Sequence, residues 1–307
     1  MGGVLEGFTT LIVVIAVGWL LGHFGVLDLG DQRMLANLSF LVGSPALLLT
    51  VLAEADVRSL LSQQLLATIA GVLVPAGLYV AVARLRWRRP LGHVVIGTLS
   101  SAYVNAGNLG LPLAAYVLGD AALVAPTLLL QLLVLQPVAF TVLDHDRAGS
   151  GRIRPWSVLH TALTNPMTLA SLLGVALSLT GTTLPRPVRD PIELIGGLAV
   201  PAMLIGYGVA LRLGPRFGGG APAEVAYTAI LKSVVQPLVA YLVARYALGL
   251  SGHALLAVTV TSALPTAQNI FTHATRYHRA EALARDTILV TTVTCAPVVL
   301  LIAALLG

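Results

Sequence analysis

Apolar runs of about 20 residues alternate along the chain with short polar segments. At 1.5 Å of rise per residue, a helix of that length crosses roughly 30 Å of hydrocarbon. The pattern predicts helices at roughly 7–22, 34–53, 61–83, 92–118, 121–143, 157–180, 191–211, 224–248, 252–275 and 283–306, with the fourth and ninth interrupted. The only long polar connector is Asp144–Trp156 (DHDRAGSGRIRPW), whose Gly, Ser and Arg content predicts an exposed loop. It divides the chain into 1–143, 144–156 and 157–307. Met1 to Phe8 has no basic residue and no clear cleavage site follows, so the first run is expected to be a retained helix and not a signal peptide.

Composition narrows the class further. Hydrophobic residues make up 57% of the chain and charged ones 10%, and the mean hydropathy is +0.89. A soluble chain would be about a quarter charged. The expectation is an all-α integral membrane protein of ten transmembrane helices, with the lipid bilayer as its obligatory surrounding. The pI of about 9.7 does not indicate nucleic acid, because the basic residues are scattered through loops and form no single face. Those loops set the orientation instead. Thirteen basic residues follow helices one, three, five, seven and nine, among them Arg84, Arg86, Arg88, Arg89 and Arg279; the opposite loops hold Arg58, Arg186, Arg189 and Arg245. The positive-inside rule then places the odd loops, including Asp144–Trp156, in the cytoplasm and both termini outside the cell (inner) membrane. Cys295 is the single cysteine, which excludes an intrachain disulfide.

The two halves of the sequence resemble each other. Ser44-Pro45-Ala46-Leu47 has its counterpart in Val200-Pro201-Ala202-Met203, and Pro75, Tyr79 and Arg84 correspond to Pro237, Tyr241 and Arg245. Ser101, Ala102, Ala106 and Asn108 correspond to Ser262, Ala263, Ala267 and Asn269. The order is kept along the chain. A five-helix repeat has odd parity, so its second copy enters the membrane upside down, and inverted repeats of this kind recur in secondary transporters.

Helices four and nine carry the candidate chemistry. Helix four reads Ser101-Ala-Tyr-Val-Asn105-Ala-Gly107-Asn108-Leu-Gly110-Leu-Pro112, and its two glycines and proline within six residues are expected to unwind it. Helix nine has a break in the matching region, Pro265-Thr266-Ala-Gln268-Asn269. Unwound backbone is tolerated in hydrocarbon only where it is buried in protein or lines a cavity, so both breaks point to one crossing site. Half-helix N-termini offer free N–H groups and partial positive charge. Asn105, Asn108, Gln268 and Asn269 add amide donors, which suits a carboxylate. The competing reading makes these residues packing glycines, kinks and asparagine glue between helices; two matched breaks with matched asparagines favour the site.

Other polar residues weigh less. All thirteen acids map to loops or helix ends, so no mid-membrane carboxylate is expected. Lys232, about two turns into helix eight, either attracts the anion or snorkels to the interface. His273 in helix nine either titrates or is satisfied locally. Trp19, Trp87 and Trp156 look like interfacial anchors. Neither a hydrolase, nucleotide nor metal motif is present, so the chain is not expected to be an enzyme, and no cofactor or metal is implied.

Four segments resemble the auxin efflux carrier family, which includes bacterial permeases and plant auxin exporters. They are Asn105 to Pro112 (NAGNLGLP), Asn165-Pro166 with LASLLGVAL after it, Pro201 to Leu213 (PAMLIGYGVALRL), and Ala263-Leu-Pro265 through Tyr277. The resemblance implies a five-plus-five inverted repeat whose helices four and nine cross at the substrate site. It also implies that Asn105 matches the asparagine that contacts the substrate carboxylate in the plant exporters. The central connector is far shorter than the long loop of many plant members, and the bacterial members, associated with dicarboxylates such as malonate and malate, are the nearer analogy. The expected function is a secondary transporter of a small organic anion, a mono- or dicarboxylate. Its expected substrate-binding residues are Asn105, Gly107, Asn108, Gly110, Pro112, Pro265, Thr266, Gln268 and Asn269, with Lys232 and His273 as accessories. The alternative is a membrane-embedded anion sensor without transport. Substrate, direction, coupling ion and oligomeric state, a homodimer included, stay open.

Overall fold

The computed structural model describes residues 2–54, 63–148, 166–214 and 218–306. Trp156 and Asn165 lie outside them, as do Arg58, Arg152, Arg154 and Arg216. All regular structure described is helical, apart from one isolated antiparallel bridge. In chain order the helices are α1 (Gly2–His23), α2 (Leu29–Glu54), α3 (Gln63–Leu85), α4 (Leu91–Ala102), α5 (106–116), α6 (121–148), α7 (Pro166–Thr180), α8 (Arg186–Leu213), α9 (Pro222–Ala247), α10 (Gly252–Ser262), α11 (Asn269–Tyr277) and α12 (Glu281–Leu306). Five of them, α2, α3, α8, α9 and α12, are long and apolar enough to cross a bilayer; shorter apolar stretches lie in α1, α4, α6, α7 and α10. Leu66 and Leu73 of α3 and Val293, Leu301 and Leu305 of α12 are each more than half exposed. In water such faces would aggregate, whereas lipid solvates them at no cost.

Proline placement explains most of the irregularity. Four helices widen by one residue over a single turn: Ser39–Gly43 in α2, Ala106–Gly110 in α5, Gln131–Leu135 in α6 and Leu231–Val235 in α9. In each case a proline stands two residues beyond, at Pro45, Pro112, Pro137 and Pro237. Proline lacks an N–H and its ring clashes with the carbonyl four residues earlier; a wider turn moves that carbonyl aside. The rule is not universal. Pro75 and Pro297 sit inside α3 and α12 without such a turn, and Val243–Ala247 widens the end of α9 without a following proline.

The chain forms two compact units. The first comprises Met1–Ser62, Ala106–Leu132 and Leu163–Pro215; the second comprises Gln63–Asn105, Leu133–Ala162 and Arg216–Gly307. Each draws on both halves of the sequence, so the units cut across the division into 1–143 and 157–307.

Close helix approach through small residues holds the first unit. A Cβ on Gly18 of α1 would strike the Ile205 backbone of α8, and one on Gly208 of α8 would strike the Ile15 carbonyl. On α7, a Cβ at Gly174 would lie 2.9 Å from the Leu49 carbonyl of α2. Helices in lipid associate through this kind of van der Waals contact, not through loss of water.

The second unit packs α3, α4, α9, α10 and α12 with more polar content. Gly97 on α4 leaves room for the fully buried ring of Tyr79, which any added Cβ would overlap. Tyr79 Oη and Arg89 Nη2 donate to the Glu224 carboxylate at 2.8 and 2.5 Å, and His93 Nε2 pairs with it at 2.8 Å. Glu224 is therefore not the solvated helix-end acid that its position suggested: it is 2% exposed. Asp286, also near a helix start, is 1% exposed and accepts from Arg285 and from the backbone N–H groups of Gly218 and Gly220. The polar connector also begins later than expected. Asp144 accepts from Tyr277 Oη at 2.8 Å and Asp146 pairs with Arg279 at 2.9 Å, and α6 stays helical to Ala148. Residues 149–156 lie outside the description.

Candidate functional site

Both interrupted helices are broken. α4 stops at Ala102, residues Tyr103–Asn105 run extended, and α5 begins at Ala106. α10 stops at Ser262, and regular helix resumes only at Asn269. The first break lies upstream of its predicted place: Gly107, Asn108 and Gly110 are in the widened turn of α5, and Pro112 in the α-helical turns after it. Pro112 widens the turn ahead of it, and the unwinding itself is drawn to 103–105 by pairing with the other break.

That pairing is antiparallel. Asn105 N donates to Pro265 O at 2.8 Å, Ala267 N donates to Tyr103 O at 3.2 Å, and Val104 bridges Thr266. Two segments that would otherwise leave bare backbone in hydrocarbon thus satisfy each other. Side chains secure the rest. Thr266 Oγ1 donates to Ser100 O at 2.6 Å, and Thr266 N donates to Thr291 Oγ1 at 3.1 Å. The last carbonyls of α4 and α10, where the helix dipole is negative, are met from α9: Gln236 Nε2 donates to Ala102 O at 3.0 Å and Lys232 Nζ to Ser262 O at 3.1 Å.

The expected site residues divide between the units. Asn105, Pro265, Thr266, Gln268 and Asn269 belong to the second unit, together with Lys232 and His273; Gly107, Asn108, Gly110 and Pro112 belong to the first. Within the second unit the backbone bonds bring Asn105 against Pro265 and Thr266. Asn105, Pro265 and Thr266 are buried, and Gln268 and Asn269 are half-buried. Asn269 opens α11, its side chain hydrogen-bonds the Tyr103 hydroxyl, and its Oδ1 is buried without a partner among the described residues. In the first unit, a Cβ on Gly107 would meet only the Met167 side chain, at 3.9 Å, so the backbone there stands open. Lys232 does not snorkel: it is fully buried and turned to Ser262 O. His273 is buried with its ring edge-on to Phe140, centroids 4.6 Å apart.

Sequence reasoning missed Tyr103 and Gln136. Tyr103 is 4% exposed, and its hydroxyl donates to Gln136 Oε1 at 3.2 Å while meeting Asn269. The signal was available, since Tyr103 lies two residues before Asn105 and a buried tyrosine hydroxyl needs a partner. The arrangement sets a short run of unwound backbone beside the amide-bearing residues Asn105, Gln268 and Asn269, with no carboxylate among the site residues. Among the described residues no group of His, Cys, Asp or Glu is placed to hold a metal ion.

Comparison with known proteins agrees on class. The family described as "Membrane transport protein" matches residues 4–149 and 152–303. The chain is 27% identical over 259 residues to a Rhizobium meliloti protein named "Putative malonate transporter", covering 81% of this chain and 78% of that one. It is 28% identical over 249 residues to an "Uncharacterized transporter" of Methanothermobacter thermautotrophicus, covering 78% and 77%. With its apolar helices, its paired breaks and a family match over nearly its whole length, the chain belongs to the membrane transport protein family, that of the auxin efflux carriers.

Proposed function

We propose that this protein is a secondary transporter that moves a small carboxylate across the cell membrane by alternating access, with ten spans arranged as two inverted five-helix repeats and both termini outside. The observation that carries this reading is the pairing of the two breaks, 103–105 with 265–267, at corresponding places in the sequence repeat. Amide side chains at Asn105, Gln268 and Asn269, with no carboxylate among the site residues, favour an anion over a cation. The name of the Rhizobium meliloti relative makes malonate the first substrate to try. On this reading Asn105 and Asn269 contact the substrate carboxylate, and the loop around 144–156 faces the cytoplasm.

Purified protein in liposomes should take up labelled malonate, or another acid from a screen of small mono- and dicarboxylates. Saturable flux that empty liposomes lack is the expected result. Binding without flux would make the protein an anion sensor. Labelling of a cysteine placed at Ala148 from outside intact cells would reverse the orientation.

A further inference from the structure

Where the apolar span of α3 ends, the second unit carries three arginines with no acid beside them. α3 runs 23 residues, Gln63–Leu85, about 34 Å at 1.5 Å per residue, which is enough to cross the hydrocarbon. Arg84, Arg86, Arg88 and Arg89 therefore stand at the level where lipid headgroups begin. Arg89 is bound to Glu224. Arg84, Arg86 and Arg88 are exposed, and none of them pairs with an acid among the described residues. Arg84 Nη1 reaches the Arg89 carbonyl, at 3.5 Å.

The acids of the unit are engaged elsewhere. It holds five: Asp144, Asp146, Glu224, Glu281 and Asp286. Asp144 accepts from Tyr277 Oη, Asp146 pairs with Arg279 and Asp286 with Arg285. Glu224 is taken up by Tyr79, Arg89 and His93, and Glu281 lies 3.5 Å from the His278 ring. The charge that complements Arg84, Arg86 and Arg88 therefore comes from an anion outside the chain.

The turn is built to present these side chains. Arg86 N and Trp87 N donate to Val82 O and Arg89 N to Ala83 O, which closes the end of α3. Trp87 packs against Tyr79 and Tyr227, with ring centroids 6.4 and 5.6 Å apart. Arg88 occupies the left-handed position of this closure, at φ +52°, a place that usually goes to glycine. An arginine kept there against the backbone preference points to a use for its side chain. Between Arg84 and Arg86, Leu85 is 82% exposed. A small soluble anion would leave that leucine in water, whereas a phospholipid covers it with an acyl chain while its phosphate accepts from the guanidinium groups. We propose that the α3–α4 turn is a docking site for the headgroup of an anionic phospholipid. A zwitterionic headgroup carries its own ammonium beside the phosphate and gives the arginines no net charge to neutralise. The site concerns the lipid-facing surface and not the substrate, so it holds for a transporter and for a sensor alike.

Trp87 lies in the turn and reports on it. In the full chain with Trp19→Phe and Trp156→Phe it is the only tryptophan left. That protein is placed in bilayers of phosphatidylcholine and phosphatidylglycerol in equal parts, with one or the other lipid brominated on its acyl chains, and quenching of Trp87 fluorescence measures which lipid sits beside it. Phosphatidylglycerol should be enriched over phosphatidylcholine about five-fold or more, the factor for one arginine at an anionic surface. Arg84→Gln, Arg86→Gln and Arg88→Gln together should bring the two lipids to equal quenching. Quenching with both lipids brominated should stay as in the parent, which shows that the turn keeps its fold and depth. Equal quenching by the two lipids in the parent protein overturns the proposal, and so does an enrichment that the triple variant keeps. Enrichment that millimolar inorganic phosphate abolishes assigns the turn to a soluble anion and overturns the lipid site.

Discussion

The two breaks occupy corresponding places in the sequence and are built differently. The first is three residues, 103–105, and its backbone is satisfied chiefly by the second. The second is six residues, 263–268, and is tied to Ser100, Thr291 and Asn105, with Lys232 on the carbonyl just before it. The second break is therefore the scaffold, and the first a short strand laid against it. Substitutions in the first should change ligand affinity more than stability; those in the second should do the reverse.

The largest expected effect is at Asn105. Asn105→Ala should weaken malonate binding by roughly ten- to a hundred-fold, the equivalent of about 1.5–3 kcal/mol for a hydrogen bond to a charged group. Asn105→Asp should be worse, because it sets like charge against the carboxylate. Binding isotherms and melting curves on the same samples decide the matter: lowered melting with unchanged affinity would make Asn105 structural and erase the contrast.

Thr266→Val should show the opposite split. It removes the donor to the buried Ser100 carbonyl, a loss of about 1–3 kcal/mol that lowers the melting temperature. Malonate affinity of the folded fraction should stay within a few-fold of wild type. A collapse of affinity at full stability would show that the second break binds ligand directly.

Asn269→Ala divides its effect between affinity and stability and so sharpens the boundary between the two roles. It loses the bond to the Tyr103 hydroxyl, a neutral interaction of about 0.5–1.5 kcal/mol, and on the present reading one substrate contact as well. Both affinity and melting temperature should fall. A change in only one of them assigns Asn269 wholly to ligand or wholly to structure.

Much of this was legible in the sequence. Pro265 marked the second break in its place, and the apolar runs fell close to the helices found. Gly107, Gly110 and Pro112 marked the first break but not its position, which depends on strand pairing with residues about 160 positions away. Burial of Glu224 was hidden for a similar reason. Two residues inside a helix start, an acid is normally solvated, and only Tyr79, Arg89 and His93 from another part of the chain make its burial tolerable. Lys232 was ambiguous because snorkelling depends on which way a long side chain turns, and Ser262 O decides that. Four of the widened turns stand before Pro45, Pro112, Pro137 and Pro237, but Pro75 and Pro297 have none, so proline alone does not mark them.

The Glu224 cluster also bears on how the protein is made. Arg89 and Glu224 are 135 residues apart in the sequence. At about 5–20 residues per second, the ribosome needs roughly 7–27 s to deliver the acid after the arginine. During that interval the α3–α4 hairpin is already synthesised with Tyr79, Arg89 and His93 lacking their shared acceptor. Completion of the Glu224 cluster is thus set by the arrival of α9, and a chain truncated before Glu224 should leave that hairpin open to proteolysis.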